Sequence, residues 1–192
     1  MKAIILLGTL KKEGLSNTAV LSEFFKEKLQ QKNVECEIIQ LVNENILPGT
    51  YTNMGAGDAW PAILEKLAAA QLIIFATPIW WGNHSSEIQK VIERLDNIHD
   101  EILAGKPSRL ANKAAGIIIT GDSDGAQHII GNISNFLNAI GLVLPPYASL
   151  SVLWEGQKKG AAPTREQLME KYEKEYSKTA ATMVEQLMKY AQ

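Results

Sequence analysis

Hydrophobic positions along the chain follow two rhythms. Short apolar runs occur at 3–7 (AIILL), 36–41 (CEIIQL), 72–76 (LIIFA), 115–120 (AGIIIT) and 142–145 (LVLP), and read as buried strands. Between them the apolar residues recur at helical spacing. In NTAVLSEFFKEKLQQ they are Val20, Leu21, Phe24, Phe25 and Leu29. A second helix is predicted over DAWPAILEKLAAA, with Asp58 as its cap and Pro61 in its first turn. A third covers SSEIQKVIERLDNI, capped by Ser85 or Ser86 and carrying Ile88, Val91, Ile92 and Leu95 on one face. HIIGNISNFLNAI makes the fourth. The last, at about 164–190, opens on Thr164 with Gln167 three residues later, a capping box.

Continuously apolar strands alternating with helices imply a parallel sheet covered on both faces. The expected fold is α/β: a doubly wound, five-stranded parallel sheet in a single domain over 1–192. The polar stretch EGQKKGAAP (155–163) reads as a connector within that domain.

Composition narrows the function. The 192 residues carry a formal net charge of −2, which gives no electrostatic reason to bind nucleic acid or an anionic membrane. Ala3–Leu7 is shorter than a signal-peptide core, and no run approaches a membrane span. Cys36 is the sole cysteine, which rules out an intramolecular disulfide and thiolate-only metal clusters. It alternates with Val34 and Ile38, as on a buried strand face, and the chain is expected to be cytoplasmic.

In such a sheet, ligands bind beyond the carboxyl ends of the strands, at the switch point of the topology. Three loops there are unusual. In GTLKKEGLSNT (8–18) a flexible Gly14 precedes Ser16, Asn17 and Thr18 at a helix start, with Lys11 and Lys12 before it. Free N–H groups, hydroxyls and positive charge suit a phosphate, though a plain Ser/Asn cap has the same letters. A Walker A loop does not fit: Glu13 stands where its second glycine belongs, and Leu15 follows Gly14. GAGDAW (55–60) fails as a dinucleotide fingerprint because Trp60 replaces the third glycine and no strand precedes it. The second loop, TPIWWGNHSS, offers adjacent tryptophans beside Pro78 and Gly82 as a surface for a planar ring; core packing is the alternative reading. The third, TGDSDGAQH, resembles a calcium loop, but that register puts Thr120 first and Gly131 at the bidentate position. Gly121 and Gly125 instead suggest close backbone approach to a ligand.

Together these loops resemble the flavodoxin-like NAD(P)H-dependent FMN reductases, particularly the multimeric-flavodoxin and iron–sulfur flavoprotein branch. GTLK…GLSNT matches that branch's first loop, with Thr9 for Ser and Lys11 for Arg. TPIWWGN…VIERLD matches its second, with Trp80 for Tyr, and IIITGDSDGAQ matches its third. The resemblance spans residue 2 to about residue 150. It implies a flavodoxin-like fold with FMN as cofactor and NADPH or NADH as electron donor. It implies that Thr9, Lys11, Ser16, Asn17 and Thr18 hold the FMN phosphate. Pro78, Ile79, Trp80, Trp81, Gly82 and Asn83 would lie along the isoalloxazine, and Thr120, Gly121, Asp122 and Gly125 at its pyrimidine edge. The branch's cluster cysteines are absent, so no iron–sulfur cluster or other metal is expected.

The activity expected is therefore oxidoreduction, with hydride passing from NAD(P)H through the flavin to a quinone, a free flavin or another small acceptor. No catalytic acid or base is assigned; His84 is the nearest candidate for protonating the acceptor, and His99 and His128 receive no role. The rivals are a one-electron carrier, which a charge of only −2 argues against, and a flavin-free binding module. A response-regulator receiver is excluded because LLGTLKK lacks the acidic cluster after the first strand. A homo-oligomer, most simply a dimer, is expected from Trp80 and Trp81 at an open strand end and from Tyr51, Met54 and Trp60 in a segment without an obvious core.

Overall fold

A computed structural model describes residues 1–158 and 160–191. Five strands alternate with five helices: β1 (Lys2–Leu7), α1 (Asn17–Gln31), β2 (Glu35–Gln40), α2 (Trp60–Ala69), β3 (Leu72–Pro78), α3 (Ser86–Leu103), β4 (Ala114–Gly121), α4 (Ala126–Ala139), β5 (Ser149–Leu153) and α5 (Arg165–Tyr190). The strands form one sheet in the order β2-β1-β3-β4-β5, and every pairing is parallel. This is the doubly wound parallel sheet the apolar runs predict, in the flavodoxin-like strand order the resemblance implies.

Alternation along the strands divides the core in two. Ile4, Leu6, Ile73, Phe75, Ile117 and Ile119 face α2, α3 and α4. Ile5, Leu7, Ile74, Ile118, Leu150 and Val152 face α1 and α5. Helix α1 buries Val20, Leu21, Phe24, Phe25 and Leu29, and α5 packs on it through Leu168, Tyr172, Ala180, Met183, Val184 and Leu187. The Thr164–Gln167 capping box is formed in both directions. Cys36 lies on the α1/α5 face, where burial pushes its thiol up to about 12, so it stays protonated and unreactive at neutral pH.

The fifth strand corrects the sequence reading. Residues 142–145 contribute a single bridge, Val143 to Ala114, because Pro145 and Pro146 have no N–H to extend a ladder. The chain turns at Tyr147 (φ 61°) and pairs with β4 only from Ser149. There Leu150 and Val152 alternate inward with half-buried serines, the pattern of an edge strand and not of a central one.

Asp58 is a second correction. The residue capping α2 is Ala59, which makes no side-chain bond, although Pro61 does sit in the first turn. Asp58 instead faces α3, where Arg94 is 1% exposed and 2.6 Å from its carboxylate. Trp60 is fully buried in the α2/α3/α4 core with the Arg94 guanidinium over its ring, and Met54 packs on Gly49; of the three large side chains here Tyr51 alone is well exposed.

Candidate functional site

The three loops emerge side by side, because β1, β3 and β4 are neighbours and their carboxyl ends share one edge of the sheet. Gly8 prolongs the β1–β3 ladder by donating to Ala76 O at 2.7 Å. A side chain at Gly8 would stand 2.5 Å from Ile88 Cγ1 and 2.7 Å from Ser85 Oγ, so glycine lets the first loop pass tightly over the start of α3. Beyond it, Thr9, Ser16 and Thr18 are buried.

Their hydroxyls form a small connected set. Ser16 Oγ donates to Thr9 Oγ1 at 2.8 Å and accepts from Ala19 N at 3.3 Å, as the N-cap of α1. Thr9 Oγ1 also accepts from Lys11 N. Thr18 Oγ1 and Thr120 Oγ1 lie 2.6 Å apart, tying the first loop to the end of β4. Tyr172 of α5 donates to Asn17 O at 3.3 Å. Among the described residues the N–H groups of Asn17 and Thr18 have no protein acceptor, so two oriented donors at the positive end of a helix dipole are open to an anion. The residues present therefore fit a phosphate. Lys11 is exposed, and its ammonium bonds Leu15 O at 2.6 Å instead of facing those donors.

The second loop is a two-residue hairpin. Trp80 and Asn83 exchange backbone bonds of 2.8 and 2.9 Å, and Trp81 (φ 50°) and Gly82 (φ 77°) form its corner. Positive φ at both corner residues is a type I′ turn, a place usually filled by Asn or Gly. Trp81 is 97% exposed and Trp80 47%, so neither belongs to the core. Thr77 Oγ1 accepts from Ser85 N and donates to Pro78 O, and Ser85 caps α3. His84 is buried with Nδ1 at 3.2 Å from Ser85 O.

The third loop braces the second. Ile79 N donates to Thr120 O, and a side chain at Gly121 would strike Ile79. At Gly125 (φ 126°) a Cβ would stand 2.6 Å from Gly82 Cα. Glycine at both positions lets the third loop pack closely on the second. Asp122 and Asp124 are exposed. His128, in the first turn of α4, places Nε2 at 3.2 Å from Asn83 Oδ1. On the β5 side, Trp154 N bonds Gly121 O and borders a separate cleft of about 600 Å3 with Pro163, Gln167, Lys171 and Lys174. Lys171 there is already engaged by Glu175 and by the Trp154 ring, 4.7 Å away.

A family model described as NADPH-dependent FMN reductase matches residues 1–153, which include all three loops and all five strands. The chain belongs to this family. A divalent metal cation transporter of Mycobacterium bovis is 29% identical over 82% of this chain, which spans 23% of that protein. An 8-demethyl-8-aminoriboflavin-5′-phosphate synthase of Streptomyces davaonensis is 31% identical over 78% of this chain, which spans 62% of its length. Among solved structures, RosB with bound 8-demethyl-8-formylriboflavin-5′-phosphate superposes with a TM-score of 0.78 at 23% identity, covering 99% of this chain and 78% of that one. The chain thus spans under two thirds of the length of the first two of these relatives, and the flavin named with the last two is theirs.

Sequence reasoning missed two residues that brace the second loop and the segment between β2 and α2. One is His128, which carries no motif. The other is Arg94, whose guanidinium donates to Leu47 O, Tyr51 O, Thr52 O and Asp58 Oδ2, holding the segment between β2 and α2 against α3. Its signal was present: Arg94 stands in the buried stripe Ile88, Val91, Leu95, Ile98 of α3. Burial alone would raise the Asp58 carboxyl. The Arg94 bond and the N–H groups of Met54, Trp60 and Leu47 outweigh it and hold the group at about 2.

Proposed function

We propose that the chain is an FMN-dependent oxidoreductase that takes hydride from NADPH or NADH and passes the electrons to a quinone, a free flavin or another small electrophile. The observation carrying this reading is the juxtaposition of open N–H donors at α1 with an aromatic hairpin and a glycine-braced loop on adjacent strand ends. When bound, FMN supplies the hydride-accepting and hydride-donating chemistry. The chain's own residues bind and orient it. Thr9, Ser16, Asn17 and Thr18 hold the phosphate, with Lys11 adding charge once its ammonium leaves Leu15 O. Pro78, Ile79, Trp80, Trp81, Gly82 and Asn83 border the ring, and Thr120, Gly121, Asp122 and Gly125 fix its pyrimidine edge.

No side chain is assigned as general acid. His84 is turned toward Ser85 O inside the loop, which does not favour a role in protonating an acceptor. The exposed indoles of the hairpin favour a homo-oligomer that covers them. A single buried thiol suits a reducing compartment such as the cytoplasm.

Anaerobic titration of the purified yellow protein with NADPH or NADH tests the reading. The flavin should bleach in one two-electron step and return on addition of a quinone, and the released chromophore should run as FMN by HPLC. A spectrum unmoved by either nucleotide but bleached by dithionite in one-electron stages would make the chain an electron carrier. Colourless protein that takes up no FMN would make it a binding module.

A further inference from the structure

The hairpin Trp80–Asn83 holds a large side chain in a conformation that L-residues avoid. The left-handed region disfavours any residue with a Cβ. A turn selected only for stability would place Asn or Gly at Trp81. The cost is not offset by burial, because the indole is almost wholly in solvent. What the position achieves is display of an aromatic ring from the corner of a tightly bonded turn.

Two contacts brace that turn, and both come from α4. Gly125, its N-cap, lies so close to the Gly82 backbone that a Cβ there would stand 2.6 Å from Gly82 Cα. His128 reaches the side chain of Asn83, whose amide is used at both ends: Nδ2 donates to Trp81 O at 3.2 Å, and Oδ1 faces His128 Nε2 at 3.2 Å. With the amide oriented so that Nδ2 donates to Trp81 O, Oδ1 is the acceptor and the imidazole carries its proton on Nε2. The chain of bonds therefore runs from His128 through Asn83 to the carbonyl of the one strained tryptophan.

We infer that His128 is a positioning residue, which acts through Asn83 to hold the turn that presents the Trp81 indole as a stacking surface for a planar aromatic electron acceptor. This rests on the oxidoreductase reading for its substrate, but the bonding itself does not. A neighbouring planar molecule is the partner an exposed indole recognises best, by offset stacking and exclusion of water.

The experiment compares His128→Leu and His128→Gln in the FMN-loaded protein, with menadione as acceptor. Gln keeps an N–H donor at the end of a side chain; Leu removes it. His128→Leu should raise the KM for menadione about 3- to 10-fold, the range of one lost neutral hydrogen bond, with kcat and the Kd for FMN altered less than about twofold. His128→Gln should recover most of the loss. Trp81→Leu should raise the same KM, and adding His128→Leu to it should have little further effect.

A second readout needs no turnover: amide exchange at Trp80 and Asn83 should quicken by a similar factor in His128→Leu and not in His128→Gln. Unchanged exchange and KM in His128→Leu would overturn the inference. So would equal loss in both variants, or full additivity with Trp81→Leu. If the loaded protein oxidises neither NADPH nor NADH, the proposed function fails, while the exchange rates still decide whether His128 holds the hairpin.

Discussion

At the scale of single residues the decisive groups are those that mix charge with burial. Arg94 and Asp58 are both out of solvent; four of the five Arg94 N–H groups are bonded, and both Asp58 oxygens accept two bonds each. Removing one partner leaves the other charge uncompensated, so Arg94→Met should cost about 3–5 kcal/mol in urea unfolding. The Asp58 carboxyl is held below its ordinary range, so the folded state binds its proton less readily than the unfolded one. Its contribution is complete above about pH 4 and disappears as the pH falls toward 2. Over that interval the wild type should lose stability more steeply than Asp58→Asn, measured by urea midpoints at a series of pH values; equal slopes would remove the carboxylate from the account. Little of this pair was legible beforehand. An Asp two residues before a helix reads as a cap, and only folding brings Arg94 to it across 36 positions. His128 received no role for the same reason, since its partner Asn83 lies 45 positions away.

At the scale of elements, sequence and structure agree where one local force dominates. Strands β1, β3 and β4 are buried on both sides, and an unbroken apolar run is enough to announce them. The helix starts were equally plain, since Ser85 and Thr164 cap as their spacing predicts. The fifth strand was misread because a run of apolar residues can line a core without joining a ladder. The prolines at 145 and 146 were the evidence against it. The start of α1 combines a structural cap with the proposed phosphate site, which makes separable predictions. Ser16→Ala should lower stability by about 1 kcal/mol through the lost cap. It should also weaken FMN binding by about 1–3 kcal/mol, because the Thr9–Ser16 pair that shapes the loop is broken. Ser16→Gly, which largely preserves the cap, should keep more of the stability and lose the same affinity. Thermal melts and FMN titrations of the two variants would separate the effects; matched losses in both quantities would show that Ser16 only caps.

At the scale of the whole molecule, a parallel sheet follows from the alternation of elements, whereas the surface that meets other molecules does not. The proposed homo-oligomer should sediment at micromolar concentration as a multiple of 21.1 kDa, and replacing Trp80 and Trp81 together with Ser should shift it to the monomer. A wild-type monomer would leave the exposed indoles to substrate alone. The bond between Thr18 and Thr120 has a consequence of a different kind. The first loop leaves the ribosome well before its partners: Thr18 waits 102 residues for Thr120, and Asn17 O waits 155 for Tyr172. Translation therefore delivers the first pieces of the proposed cradle long before the fold can close it. A nascent chain stopped before β4 lacks the partner that fixes the cradle, so flavin supplied during synthesis would meet a complete site only once β4 and α5 have emerged. Cofactor loading then follows that closure and does not belong to the early steps by which the chain first collapses.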